Sequence, residues 1–505
     1  MIISLICVVG VSYAFFTAGM SSETSTTVRA DAGTMKITYD GGKKINLVGI
    51  YPKDDVWATK TITVTGNNTT DAEMYYKLTL VVDSNTFKID DPLQYELVST
   101  NTSTNGEIIP NISKTDITGT SIELGSGHFV KANNAKHTYL LKIYYPKKAT
   151  SQNANQGAAF SAHVEITSAK APTVINLVKA IRANNEVKAP ITTPGAAVST
   201  ASEALLASTE DDYGTSYYFR GAVTNNYVEF ANKCWRIVRV GGDGSVKLIL
   251  HNDNTTGVAN PCDAANNSAS AAFARYSGTT YKSAFNTNYN DNAYVGFKFG
   301  TVGSSTYEAT HANTNNSTIL TNLEAWYNNN DNFKKYEKVI ADTVWCNDKT
   351  NVTDTTYNPW NMSNVNGLGY GTNTTYYGAT QRLVSKSNSA GGTGPSLKCN
   401  GELSKIASKV GLITADELAY AGYAWNIGNT TTYLQENATD TYWWSLSPGI
   451  FVGSSAGVWR VGGSNGGLNR SDVDYTGGLR PSISLKSTTS VTGEGTSSSP
   501  YIISM

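Results

Sequence analysis

Apolar and polar residues alternate in short runs through the first third of the chain. The runs are MKITYD (Met35–Asp40), ATKTITVTGN (Ala58–Asn67), MYYKLTLVVD (Met74–Asp83), HTYLLKIYY (His137–Tyr145) and AFSAHVEIT (Ala159–Thr167). A period of two puts one set of side chains on each face of an extended backbone, so each run predicts a half-buried strand. Clusters of Asn, Gly and Asp between the runs predict turns. No helical period interrupts them, and residues 20–168 read as an antiparallel β-sandwich or jelly roll.

The period then changes. Val174, Leu177, Val178 and Ile181 fall at helical spacing, and a Pro-, Ala-, Ser- and Thr-rich stretch (VKAPITTPGAAVSTAS) follows. Together they predict a short helix and linker over residues 169–212. Residues 213–505 predict an α+β domain. Paired strands flank the Gly241-Gly242-Asp243-Gly244 turn. Two helical segments follow: one starts at the N-cap Ser317, with Ile319, Leu323 and Trp326 on one face, and NFKKYEKVIA forms the next with Phe333, Tyr336 and Ile340. A third helix opens on Thr414 and Glu417, spaced as a capping box. The end returns to strands, with a hairpin turn at Ser464–Gly467. The whole chain is expected to be mainly β with some α.

Strand parity separates the paired tryptophans of TYWWSLSP. Tyr442, Trp444 and Leu446 share one face, which makes Trp444 the core ring. Trp443 falls on the other face with Ser445 and Ser447. Arg460 and Arg480 likewise lie on the less apolar faces of the later strands. If those faces coincide, Trp443, Arg460 and Arg480 form an aromatic plate flanked by guanidiniums, suited to sugars or carboxylates. The competing reading makes Arg480 a structural arginine bridging strands and packs Trp443 under a loop.

Composition narrows the partners. Of 505 residues, 16% are charged and the formal net charge is -1, with no basic stripe for nucleic acid. The first 19 residues form the one long apolar run and are expected to be an export signal; an anchor helix retained in the membrane is the alternative. With no second run of that kind, the mature chain is expected to lack a membrane span. Cys7 lies in the signal. Cys234, Cys262, Cys346 and Cys399 allow three disulfide pairings in an exported chain, of which Cys234–Cys262 and Cys346–Cys399 close the shortest loops in chain order. A zinc site is disfavoured because no two are spaced as a metal knuckle.

Two resemblances sharpen the expectation. A signal ending in SYAFFTA, then DAGTMKITYDGG, then NLVGIYPKDDVWATKTITVTGNNTTDAEMYYKLTLVV, resembles the camelysin/TasA family of exported bacterial matrix-fibre subunits over roughly 160 residues. Asn46-Leu47 and Tyr51-Pro52-Lys53-Asp54 occupy that family's turn with two or three extra residues and no glycine after the proline. The resemblance implies self-association by β-strand addition, with Phe15–Thr34 as the donor segment and Met35–Asp40 as the first domain strand. The C-terminal half, through THANTNNSTI, GLITADELAYAG and GGLRPSISLKS, resembles an uncharacterised bacterial surface domain of C-type-lectin-like character, related in shape to formylglycine-generating enzymes. Those enzymes use a reactive cysteine pair near their C-terminus, whereas the last cysteine here is Cys399.

Catalytic motifs are sparse. His128, His137, His163, His251 and His311 form no H-E-x-x-H helix, so the metalloprotease activity ascribed to some camelysin-like proteins does not carry over. No G-x-S-x-G elbow is present. Asp472 and Asp474, spaced i,i+2, could hold calcium with Asn469; a solvated polar loop is the simpler reading. The sequence therefore predicts a non-enzymatic, exported cell-surface or matrix protein. Its N-terminal domain would anchor or assemble, and its C-terminal domain would display a site for a glycan or extracellular protein. The alternative is a secreted hydrolase with a carboxylate site in the C-terminal domain.

Overall fold

The computed structural model describes residues 26–31, 34–69, 73–101, 105–169, 174–254, 257–258 and 260–504. The chain forms two compact units, divided between Thr173 and Val174. It is mainly β, with several antiparallel sheets and a few helices. The expected signal, residues 1–19, lies outside the described residues.

The first unit contains β1 (Thr26–Asp31), β2 (Thr34–Asp40), β3 (Ile45–Val48), β4 (Lys53–Asn68), β5 (Met74–Asn85), β6 (Gln94–Ser99), β7 (Ile112–Asp116), β8 (Ser121–Phe129), β9 (Ala132–Tyr145) and β10 (Ala159–Ser168). One sheet runs β1-β2-β4-β9-β6-β7 and the other β3-β10-β5-β8. The five alternating runs of the sequence are β2, β4, β5, β9 and β10. Their apolar sets share a single core, to which β5 gives Met74, Tyr76, Leu78, Leu80 and Val82, and β9 gives Tyr139, Leu141 and Ile143. His137 sits in that same inward row. Its Nδ1 lies 2.7 Å from the Tyr76 hydroxyl and its Nε2 2.8 Å from the Asn105 carbonyl. Burial pushes its pKa down, so a partnered core histidine stays uncharged.

One expectation changes here. Of the donor segment Phe15–Thr34, the residues Thr26–Asp31 are already paired along their whole length with β2 of their own sheet. Met35–Asp40 is therefore not the outermost described strand, and this part of the segment fills its own edge.

The second unit is built on a long sheet. In spatial order its strands are Ile175–Asn176, Ser490–Thr492, Tyr501–Ser504, Tyr227–Phe230, Lys233–Val240, Gly214–Gly221 and Ala204–Asp211. Val246–Asn252 also pairs with Lys233–Val240, across the Gly241–Gly244 turn, and with Ser482–Leu485. A second sheet orders Lys282–Ala284, Thr476–Gly478, Trp443–Val452, Ser455–Val461 and Leu468–Asp472. The helix Thr318–Asn328 begins where its cap predicts, with Ser317 Oγ accepting from the Leu320 amide at 3.2 Å. The next helix is shorter than expected, Asp331–Lys335, although Phe333 and Ile340 are buried as the pattern requires. The helix Ala415–Ala421 carries the full Thr414/Glu417 capping box.

The expected linker is corrected. From residue 174 onward the 169–212 stretch belongs to the second unit. Leu177 and Ile181 of the helix Leu177–Asn184 enter its main core, and Ile175 pairs with Val491. The Pro/Ala/Thr-rich segment is held by a buried ion pair, Arg220 Nε to Glu203 Oε1 at 3.0 Å. Arg220 also donates to the Thr192 hydroxyl at 2.6 Å and the Ala197 carbonyl at 3.3 Å. Burying these charges demands fixed partners, so the segment cannot act as a tether. The disulfides are Cys234–Cys262 and Cys346–Cys399, the pairing that closes the shortest loops. Among the described residues no helix is long and apolar enough to cross a membrane.

Candidate functional site

The residues singled out as a surface plate do not form one. Trp443 and Arg480 do meet, with the guanidinium 4.8 Å from the ring centroid, but both are 0% exposed. Arg480 donates to the Leu250 carbonyl at 3.0 Å and to the Leu434 carbonyl, bridging two segments of the core. Trp444 is buried as well, its indole donating to the Ser283 carbonyl at 2.9 Å. Parity separates two faces, yet the strand Trp443–Val452 is covered on both, so neither ring reaches solvent. Arg460 lies apart, half-buried over the Tyr442 ring at 5.0 Å and donating to Ser471 Oγ at 3.1 Å.

The calcium set does not assemble either. Asn469 spends its side-chain oxygen on the Arg470 amide at 2.8 Å, and the nearest charged partner of Asp472 is Arg470, at 3.9 Å. Among the described residues no three His, Cys, Asp or Glu side chains gather as a metal set.

An aromatic groove lies on the same hairpin. It is an open depression of about 490 Å³ lined by Trp360, Met362, Trp425, Asn426, Asn469, Arg470, Asp472 and Tyr475 among others. One side chain organises it. Asn388, held at φ 62° in a tight turn, accepts from both indoles through its Oδ1, Trp360 at 3.0 Å and Trp425 at 3.1 Å. The two rings lie 5.3 Å apart at 40°. Trp425 is seated edge-on against the core ring Trp459 at 5.4 Å. Trp459 is in turn the register partner of Arg470 across the hairpin. Arg470 lays its guanidinium over Trp360 at 4.8 Å, and its nitrogens make no hydrogen bond to the described residues. Partial burial lowers its pKa, but an arginine remains charged throughout the neutral range. Tyr475 projects at the open side, 59% exposed.

This arrangement offers apolar ring faces and edges and a guanidinium that is loosely paired with Asp472, at 3.9 Å, along one open trough. Such a set suits a flat, hydroxyl-bearing ligand: rings stack on its apolar face while polar groups reach its hydroxyl or carboxylate edges. The residues come from four separate segments, near 360, 388, 425 and 470. Arg470 in the strand Leu468–Asp472 and Tyr475 just after it were the sequence signal available.

A second cleft, beside the Cys346–Cys399 disulfide, is strongly charged but internally paired. Arg239 bridges Asp211 at 2.9 Å and Glu417 at 2.8 Å, and Lys247 reaches Glu417 at 2.6 Å. Arg382 bridges Asp348 and Asp416, both at 2.7 Å. Burial would raise Glu417, but Lys247 and Arg239 outweigh it and hold the carboxyl at about 2. A general acid needs the opposite environment, one that keeps its proton near neutral pH. Glu229 does have that character, pushed up to about 7 by burial, but it does not line either hollow. His163 lies between Asp83 at 3.0 Å and Glu165 at 3.3 Å, while His251 and His311 are buried with their pKa values lowered by desolvation.

No family model matches the chain. No curated protein matches it either. Among solved structures it is similar to the P-domain of Macrobrachium rosenbergii nodavirus, at 16% identity and a TM-score of 0.13, over 26% of this chain and 90% of that one.

Proposed function

We propose that the chain is an exported, non-enzymatic bacterial surface or matrix protein whose second unit binds a glycan in the Trp360–Trp425–Arg470 groove. The observation that carries this reading is the pair of indoles locked on one amide oxygen, with the Arg470 guanidinium over the Trp360 ring and making no hydrogen bond among the described residues. Two disulfides suit an oxidising, extracellular setting. The resemblance of the first unit to camelysin/TasA fibre subunits supports an anchoring or assembling role for that unit. A glycan array probed with the full chain tests the binding half of the proposal: retention on a defined set of glycans supports it, and a blank array sinks it. Negative-stain microscopy tests the assembly half, where monomers alone across pH and concentration count against fibres.

A further inference from the structure

The geometry points to a covalent cross-link inside the second unit, an amide bond joining the side chains of Lys349 and Asn313. Lys349 is 0% exposed, yet no Asp or Glu among the described residues pairs with it. Its Nζ lies instead among uncharged acceptors. These are the carbonyl of Lys298 at 3.1 Å, the carbonyl of His311 at 3.2 Å and, nearer than either, the side-chain Oδ1 of Asn313. A buried ammonium without a counter-charge is disfavoured, and burial accordingly pushes Lys349 down to about 7. Near neutral pH a large share of the side chain is then free amine, which is a nucleophile.

The group held against that amine is a carboxamide with little freedom to leave. Asn313 Nδ2 donates to the Leu403 carbonyl at 2.9 Å, and its backbone sits at φ 56°. An amine and an acyl group kept in contact inside a fold react as one molecule, with the entropy of encounter already removed. In the step, Nζ adds to Cγ of Asn313 and the Cγ–Nδ2 bond breaks. One Nζ proton ends on the departing nitrogen, which leaves as ammonia. Nothing is oxidised or reduced, and no further reactant enters. The cross-link ties the segment between the helix Tyr307–Thr310 and the strand Asn315–Asn316 to the residues that follow the strand Thr343–Cys346.

A tryptic map of the full chain, reduced and alkylated, tests this without any variant. The expected result is that the peptides holding Asn313 and Lys349 appear as one branched species, lighter than their sum by one ammonia, with no cleavage after Lys349. Lys349→Met should release the Asn313 peptide at its full mass. Separate wild-type peptides of full mass would overturn the proposal. So would an Asn313 peptide that has lost ammonia alone, the mark of a cyclic imide.

Discussion

Replacing Glu417 by glutamine removes the negative charge that Lys247 and Arg239 share. Glu417 Oε1 accepts from Arg239 Nε at 2.8 Å and Lys247 Nζ at 2.6 Å, and its Oε2 accepts from the Thr414 amide at 2.9 Å. The side chain is 3% exposed, so solvent screens these contacts little. Its carboxyl is held at about 2, against an ordinary 4.5. That difference corresponds to about 3 kcal/mol of folded-state stabilisation at neutral pH. It agrees with the ~3–5 kcal/mol typical of breaking a buried ion pair from one side. Because the folded value lies below the unfolded one, the contribution is complete above about pH 4.5 and is lost as the pH falls through about 2. Urea unfolding followed by tryptophan fluorescence reads the relevant unit, since Trp57 is the one tryptophan that precedes Val174. Glu417→Gln should lower its unfolding free energy by about 3 kcal/mol near pH 7, and the gap should narrow as the pH is taken from about 5 toward 2. A gap under about 1 kcal/mol near pH 7, or one that widens on acidification, would refute the reasoning.

Other expected outcomes follow from the same structure. Trp443→Ala empties a fully buried site beneath Arg480 and should cost about 3–5 kcal/mol by denaturant titration; a near-neutral effect would return Trp443 to the surface. Replacing both cysteines of either disulfide by serine should cost about 4 kcal/mol, from the loop entropy of separations of 28 and 53 residues. Equal stability of variant and parent would show that these links form too late or too rarely to matter. Ser317→Ala removes the cap of the helix Thr318–Asn328 and should cost about 1 kcal/mol, measurable as a fall in the urea midpoint.

Some of this was legible along the chain and some was not, for physical reasons. Period-two alternation marked β2, β4, β5, β9 and β10 because each buries one face only. The edge strands β3 and β7 are four and five residues long, too short to show a period. The helix caps at Ser317 and Thr414 were readable because capping is a local contact. The linker reading failed because its structure depends on Glu203 and Arg220, seventeen positions apart, and a buried charge pair leaves no compositional trace. Parity failed at Trp443 because it says which side a ring takes and not whether that side is covered. The groove was missed for a related reason. Asn388 joins Trp360 to Trp425 across gaps that no spacing rule connects.

The central claim, that the Trp360–Trp425–Arg470 groove is a glycan site, is tested most directly by equilibrium titration of an array-selected glycan against the parent chain, Trp360→Ala and Trp443→Phe. The account predicts that Trp360→Ala weakens binding about tenfold or more, because it removes the stacking ring and the support of Arg470, while Trp443→Phe binds as the parent does. Unchanged affinity in a folded Trp360→Ala chain would contradict it.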